Sequence, residues 1–211
     1  MPSRRAVLRA AALGAPFLLS RRLRAAPMRK VRLTLPWVAE GSDLFAFVAK
    51  ENNYWAEAGL DVDISRGYGS VAAAQAVGSG RFDFGLAVAS AGIQQAAKGL
   101  PLISLACCGY DSTMSVAVLA DSPVHTPQQL AGKSLGGTVN SGEYPFLPAF
   151  AKNAGLDFSS VRVVNVDPNV RQRVLMEKQG DASSVGASSI APVITVNNLQ
   201  ARYMLYSADG L

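Results

Sequence analysis

From residue 31 onward the hydrophobic period of this chain switches repeatedly between two and about 3.6, and most switches fall at glycine, serine or proline. "VRLTLPW" (31–37) alternates like a strand and stops at Pro36. "DLFAFVAKENNYWAEAG" (43–59) carries Leu44, Phe47, Val48, Trp55 and Ala58 at helical spacing, with Gly59 as its stop. "LDVDI" (60–64) is a second strand. "SVAAAQAVGSG" (70–80) is a helix with Ser70 as N-cap. "FDFGLAV" (82–88) is a third strand, "SAGIQQAAKG" (90–99) a third helix, and "LPLISLACC" (100–108) a fourth strand, apolar enough to be buried on both faces. "MSVAVLA" (114–120) closes this series as a further strand.

Strands that alternate with helices predict a parallel α/β sheet covered on both faces. Right-handed crossovers align the C-terminal strand ends along one edge, where open α/β sheets bind ligands. Trp37, the run Tyr68-Gly69-Ser70, Ser90 and Tyr110 all follow strand ends. The stretch "DSPVHTPQQLAGK" (121–133) reads as the entry to a second lobe, and the pattern then restarts. "KSLGGT" is a strand, "VNSGEYP" a polar loop holding Asn140, Ser141, Gly142 and Glu143, and "FLPAFAKNAG" a helix. "VRVVNV" is a strand and "DPNVRQRVLMEKQG" (167–180) a helix with Asp167 as N-cap and Pro168 in its first turn. "ASSVGASS" is a short strand and loop, and "YMLYSADGL" begins one more element. Two such edges facing each other form a cleft with helix N-termini on both walls, suited to an anionic or acceptor-rich small molecule.

Charge narrows the function. The net charge is +5, but six arginines and no acid lie within residues 1–25; without them 14 basic and 15 acidic residues remain, a net of −1. That argues against a nucleic-acid partner. "SRRAVLR", the mildly apolar "AAALGAPFLLS" and the small residues near "LRAAP" follow the plan of an export signal cleaved after Ala25 or Ala26. No later segment approaches the 18 uninterrupted apolar residues of a spanning helix. Cys107 and Cys108 are adjacent, so on a strand they would face opposite sides as small buried hydrophobes. The lone histidine, His125, sits in a turn-like stretch without ligand-spaced neighbours, and no metal site is expected.

The ordered runs "FVAKENNYWAEAGLDVDI", "GYGSVAAAQAVGSGRFDFGLA", "AAKGLPL", "DSPVHTPQQLAGKSLGG" and "VDPNVRQRVLMEKQGDA" resemble the periplasmic substrate-binding proteins of ABC importers. The nearest group is the nitrate, sulfonate, taurine and thiamine-pyrimidine-precursor binders. The paired arginines after Ser3 resemble a twin-arginine signal, with Val7 and Arg9 where phenylalanine and lysine are usual. The resemblance implies a type II two-lobed periplasmic binding protein fold: a signal at residues 1–25, a first α/β lobe at 26–120, and a second lobe at 121–211 that is incomplete. It implies ligand capture without catalysis or cofactor, permease subunits in the inner membrane as partners, and a periplasmic location.

By position the resemblance puts Trp37 against the ligand, with Tyr68, Gly69, Ser70 and Ser90 on one wall and Asn140, Ser141, Gly142 and Glu143 on the other. Each has a plainer role beside this one. Trp37 could cap the core, Gly69-Ser70 could serve only as a helix start, Tyr110 fits core as well as cleft, and Glu143 could serve only the helix dipole. If Glu143 faces the cleft, it favours an amine-bearing ligand, and Trp37 and Tyr68 offer faces for a flat heterocycle. Two other functions compete: a ligand-sensing module for a membrane receptor, and a pyrimidine-forming enzyme of the same fold. The enzyme needs iron with a histidine and a cysteine-rich motif, for which one histidine and one cysteine pair do not suffice.

Overall fold

The computed structural model describes residues 27–210; the export signal expected at 1–25 lies outside them. The first sheet is parallel, as the alternation predicts. Strand β1 (Arg29–Thr34) pairs along its whole length with β2 (Leu60–Ser65), from Arg29 opposite Leu60 to Thr34 opposite Ser65. Its other edge takes only the two residues of β3 (Phe84–Gly85), giving the order β2-β1-β3.

The helix expected over 43–59 is two helices, α1 (Leu44–Glu51) and α2 (Tyr54–Glu57). Asn53 breaks them apart in the left-handed region, at φ 60°, which asparagine tolerates better than most residues. The Trp55 indole N–H then donates to the Ala46 carbonyl at 3.1 Å and holds the pieces together. Val31, Leu33, Ala46 and Val62 form the core beneath them. Helices α3 (Ser70–Gly78) and α4 (Ala89–Ala97) complete the lobe.

Leu100–Cys108 is not the strand that its composition predicts. Ile103 is 86% exposed and Leu105 73%. A strand needs a neighbour to fill its ladder, and the outer member of this sheet is only two residues long. Cys107 and Cys108 are accordingly free and exposed rather than buried.

The second sheet has the order β6-β5-β7-β4-β8. Its strands are β4 (Met114–Leu119), β5 (Ser134–Gly137), β6 (Arg162–Asn165), β7 (Ala182–Gly186) and β8 (Ala201–Leu205). β5 is parallel to β6 and β7, whereas β4 runs antiparallel to both of its neighbours. The strand at 114–120, expected to close the first lobe, is therefore an inner strand of the second sheet. Its apolar run is explained by two-sided burial. Val116 and Val118 join one core with Leu135, Phe150 and Tyr206; Ala117 and Leu119 join the opposite one with Leu175, Ile190 and Ile194. The Phe150 and Tyr206 rings stack with centroids 4.7 Å apart.

Helices α5 (Leu147–Asn153), α6 (Arg171–Met176) and α7 (Ala187–Val196) flank this sheet. α6 is shorter than the pattern over 167–180 predicts. Asp167 does not cap it; its carboxylate accepts from the Asn169 N–H at 2.8 Å and its carbonyl from Val170 N–H at 3.1 Å, which makes a separate turn. The helix starts only at Arg171. No helix among the described residues is long and apolar enough to cross a membrane.

Candidate functional site

The exit of β1 and the loop after β2 are laced together by the backbone. Leu35 N–H donates to the Ser65 carbonyl, Gly67 N–H to Trp37 and Gly69 N–H to Pro36, all within 2.9 Å. A Cβ at Gly67 would fall on the Leu35 carbonyl, and one at Gly69 on the carbonyl of Asn140 in the other lobe. Gly69 also has φ 126°, a conformation that side chains oppose. These glycines serve close backbone approach, and the Gly69 N–H is taken by the Pro36 carbonyl rather than left for a ligand. Gly69, not Ser70, is the N-cap of α3. The buried Ser70 hydroxyl accepts from Val88 N–H at 3.2 Å.

Trp37 follows this lacing and is buried, only 7% exposed. The Arg171 guanidinium lies over its ring, 4.1 Å from the centroid. Arg171, at the start of α6, donates from Nη1 to the Glu143 carboxylate in an ion pair buried on both sides. Beside them Glu40 accepts from the Ser189 hydroxyl at 2.7 Å, a bond from one lobe to the other. Asp43 lies next to Glu40, whose backbone N–H donates to the Asp43 carboxylate at 3.2 Å. Burial raises the Glu40 carboxyl above its ordinary range; the Ser189 bond opposes this, Asp43 adds to it, and Arg171 and Glu143 act with opposite signs. Burial raises Asp43 too, against the bond from Glu40. Among the described residues five buried side-chain polar atoms have no hydrogen-bond partner, and Glu40 Oε1, Arg171 Nε and Ser90 Oγ are three of them. Buried polar atoms are ordinarily paired, so each orphan needs an explanation.

The expected site residues divide. Trp37 and Glu143 meet through Arg171. Gly142 packs against Val88 and Ser70, placing it in the seam between lobes. Ser90 is the second residue of α4, whose N-cap is Val88 rather than the serine that the sequence suggests. Ser141 is buried, but its hydroxyl accepts from Tyr144 N–H at 3.3 Å as part of its own turn. The Asn140 side chain is exposed, and its carbonyl takes the interlobe bond from Val71 N–H at 3.0 Å. Tyr68 is half exposed, its ring 4.4 Å beneath the Arg66 guanidinium, which donates to Asn169 across the seam. Tyr110 is 92% exposed, in neither core nor cleft, because the strand meant to deliver it does not form.

Nothing in the local sequence pattern singles out Glu40 or Ser189. One signal for Arg171 was available: a cation in the first turn of a helix opposes the helix dipole and needs an acidic partner. Two surface pockets, one including Pro127, Tyr203 and Ala208 and the other Tyr144, Pro148 and Phe158, contain none of Trp37, Glu40, Glu143 or Arg171. Among the described residues no three His, Cys, Asp or Glu side chains are grouped to hold a metal ion.

In sequence the chain is 30% identical over 139 residues to the formylaminopyrimidine-binding protein of Halalkalibacterium halodurans, a match covering 66% of this chain and 42% of that protein. It is 25% identical over 138 residues to a putative thiamine biosynthesis protein of Haemophilus influenzae, covering 65% and 44%. The chain thus spans less than half the length of the curated relatives it matches. In structure it resembles the alkanesulfonate-binding protein SsuA of Xanthomonas axonopodis pv. citri, with a TM-score of 0.68 at 18% identity, over 89% of this chain and 64% of that one. That likeness places both α/β lobes within the periplasmic binding protein fold, part of whose length this chain spans. The NMT1/THI5-like family model matches residues 43–209, a stretch that begins at Asp43 and runs through both lobes, and the chain belongs to that family.

Proposed function

We propose that this chain is the solute-binding component of an ABC importer, holding a flat, amine-bearing heterocycle of the pyrimidine thiamine-precursor class between its lobes. The observation that carries the reading is the half-buried Glu40 and the buried Glu143, both close enough to interact with the Arg171 guanidinium that lies over the Trp37 ring. An aromatic face with acceptors at its rim fits a planar ring bearing N–H donors. The relative named for formylaminopyrimidine binding supports the same class. Trp37, Glu40, Ser90, Gly142 and Glu143 line the site on this reading. Capture is non-catalytic, the partners are permease subunits of the inner membrane, and the location is periplasmic.

Arg171 favours a second reading, an organic sulfonate, because a guanidinium with an unpaired Nε suits an oxyanion. Three nearby carboxylates oppose it, since like charge disfavours an anion at short range. Thermal unfolding of the chain with 4-aminopyrimidine, a formylaminopyrimidine, taurine, an alkanesulfonate or nitrate separates the two. A ligand at 100 times its dissociation constant stabilises the folded state by about 2.7 kcal/mol. Aminopyrimidines should raise the midpoint, and the shift should vanish in Trp37→Ala. A rise with sulfonates alone would favour the second reading, and no shift with any compound would refute both.

A further inference from the structure

We infer that Arg171 occupies the ligand's own place on Trp37, so that a planar N–H-bearing ligand and the Arg171 guanidinium compete for one aromatic face. This rests on the binding reading above and adds to it a residue that sets affinity and selects shape. The guanidinium is itself flat, with an N–C–N fork of donors. It covers the ring at 4.1 Å and donates to Glu143. Trp37 is only 7% exposed with Arg171 over one face of its ring, so a ligand can stack on that face only if Arg171 moves off.

Two observations mark the contact as one that can be exchanged. Arg171 Nε is buried without an acceptor, so the guanidinium is incompletely satisfied where it lies. Glu40 Oε1, close enough to Arg171 for their charges to interact, is a buried acceptor without a donor. An exocyclic amino group on a planar ring, with its two N–H bonds, would present donors both to Glu143, in place of Arg171, and to Glu40. Apparent affinity then falls by the fraction of molecules whose Arg171 covers the ring. Benzamidine, with two donor groups, and aminopyrimidines, with one amino group beside an accepting ring nitrogen, both carry such N–H donors on a planar ring, whereas alkanesulfonates do not.

The test is Arg171→Lys in a Trp55→Phe background, which leaves Trp37 as the one indole. Lysine keeps a cation for Glu143 but loses the flat fork that covers the ring. Binding of 4-aminopyrimidine and benzamidine is titrated by Trp37 fluorescence, with methanesulfonate as the contrasting probe. Arg171→Lys should bind the two planar compounds about tenfold more tightly than the parent, the scale of a desolvated cation–aromatic contact released. Methanesulfonate affinity should not rise. Arg171→Met, first checked by its melting curve, repeats the test without charge at that position. Parent binding that is unchanged or weaker in both variants would overturn the competition while leaving the binding reading in place. Absence of binding in the parent and both variants would overturn both.

Discussion

The backbone N–H of Val71 donates to the carbonyl of Asn140, joining the first turn of α3 to the loop after β5 at 3.0 Å. At this point the lobes are bonded main chain to main chain. Ser189 on Glu40 and Arg66 on Asn169 add side-chain bonds across the same seam.

Gly69→Ala should part this seam. The new Cβ would fall on the Asn140 carbonyl, at a φ of 126° that alanine resists. The expected cost is about 1–3 kcal/mol in urea unfolding. Small-angle scattering should show a larger radius of gyration than the parent.

Glu143→Gln leaves the Arg171 cation buried without its counter-charge. Breaking one side of such a pair typically costs about 3–5 kcal/mol. The double variant Glu143→Gln, Arg171→Met should be less destabilised than the sum of the singles, giving a coupling energy of about 0.5–3 kcal/mol in a denaturant cycle.

Glu40 gives a pH signature. Its unfolded value lies near 4.5 and burial raises the folded one. The folded state therefore holds the proton more tightly than the unfolded chain. The stability this contributes is present below pH 4.5 and is lost as pH rises through the folded value. Glu40→Gln keeps an acceptor for Ser189 and removes the buried charge. Its melting midpoint should exceed the parent's at pH 7, and the difference should vanish at pH 4.

Asp83 behaves oppositely. The Arg32 side chain donates to both its oxygens, at 3.1 and 3.0 Å, and the Arg32 N–H donates at 2.8 Å, holding the carboxyl at about 2. Its contribution is present above the unfolded value of 3.8 and is lost as pH falls from there towards 2. Asp83→Asn should melt below the parent at pH 6 and approach it at pH 2, an effect that 1 M salt weakens because the pair is exposed.

Ile103→Ser and Leu105→Ser should each change stability by no more than about 0.5 kcal/mol, as exposed positions do. Phe150→Ala, fully buried and stacked on Tyr206, should cost about 3–5 kcal/mol. Equal losses at both places would mean that the 102–108 segment packs like a core strand.

The elements were readable wherever local pattern decides them. β1, β2 and β5, the glycine stops and the two-lobed plan follow from periodicity and turn residues. The failures share one physical origin, which is that pairing is not local. "LPLISLACC" has a strand's composition but no partner of sufficient length, while "MSVAVLA" is a strand whose partners lie in the other lobe. At the site, Trp37 and Glu143 were visible as a strand-end aromatic and a loop acid. Arg171 lies 28 residues from Glu143, and Ser189 lies 149 from Glu40, so no window of sequence contains either pair.

The position of β4 has a consequence for how the chain acquires its shape. The first sheet pairs β1 with segments 31 and 51 residues downstream, all of which precede the second lobe. β4 leads the second lobe in sequence, yet its Ser115 hydroxyl bonds a carbonyl 70 residues downstream, and its other edge is filled by β8, later still. Pairings of such long range pay loop-closure entropy before any contact rewards it, which makes them slow. During synthesis at about 5–20 residues per second, the apolar β4 would stand unpaired for several seconds while β7 and β8 are made. Until they are, β4 is an unpaired apolar strand, the kind of segment that is open to aggregation.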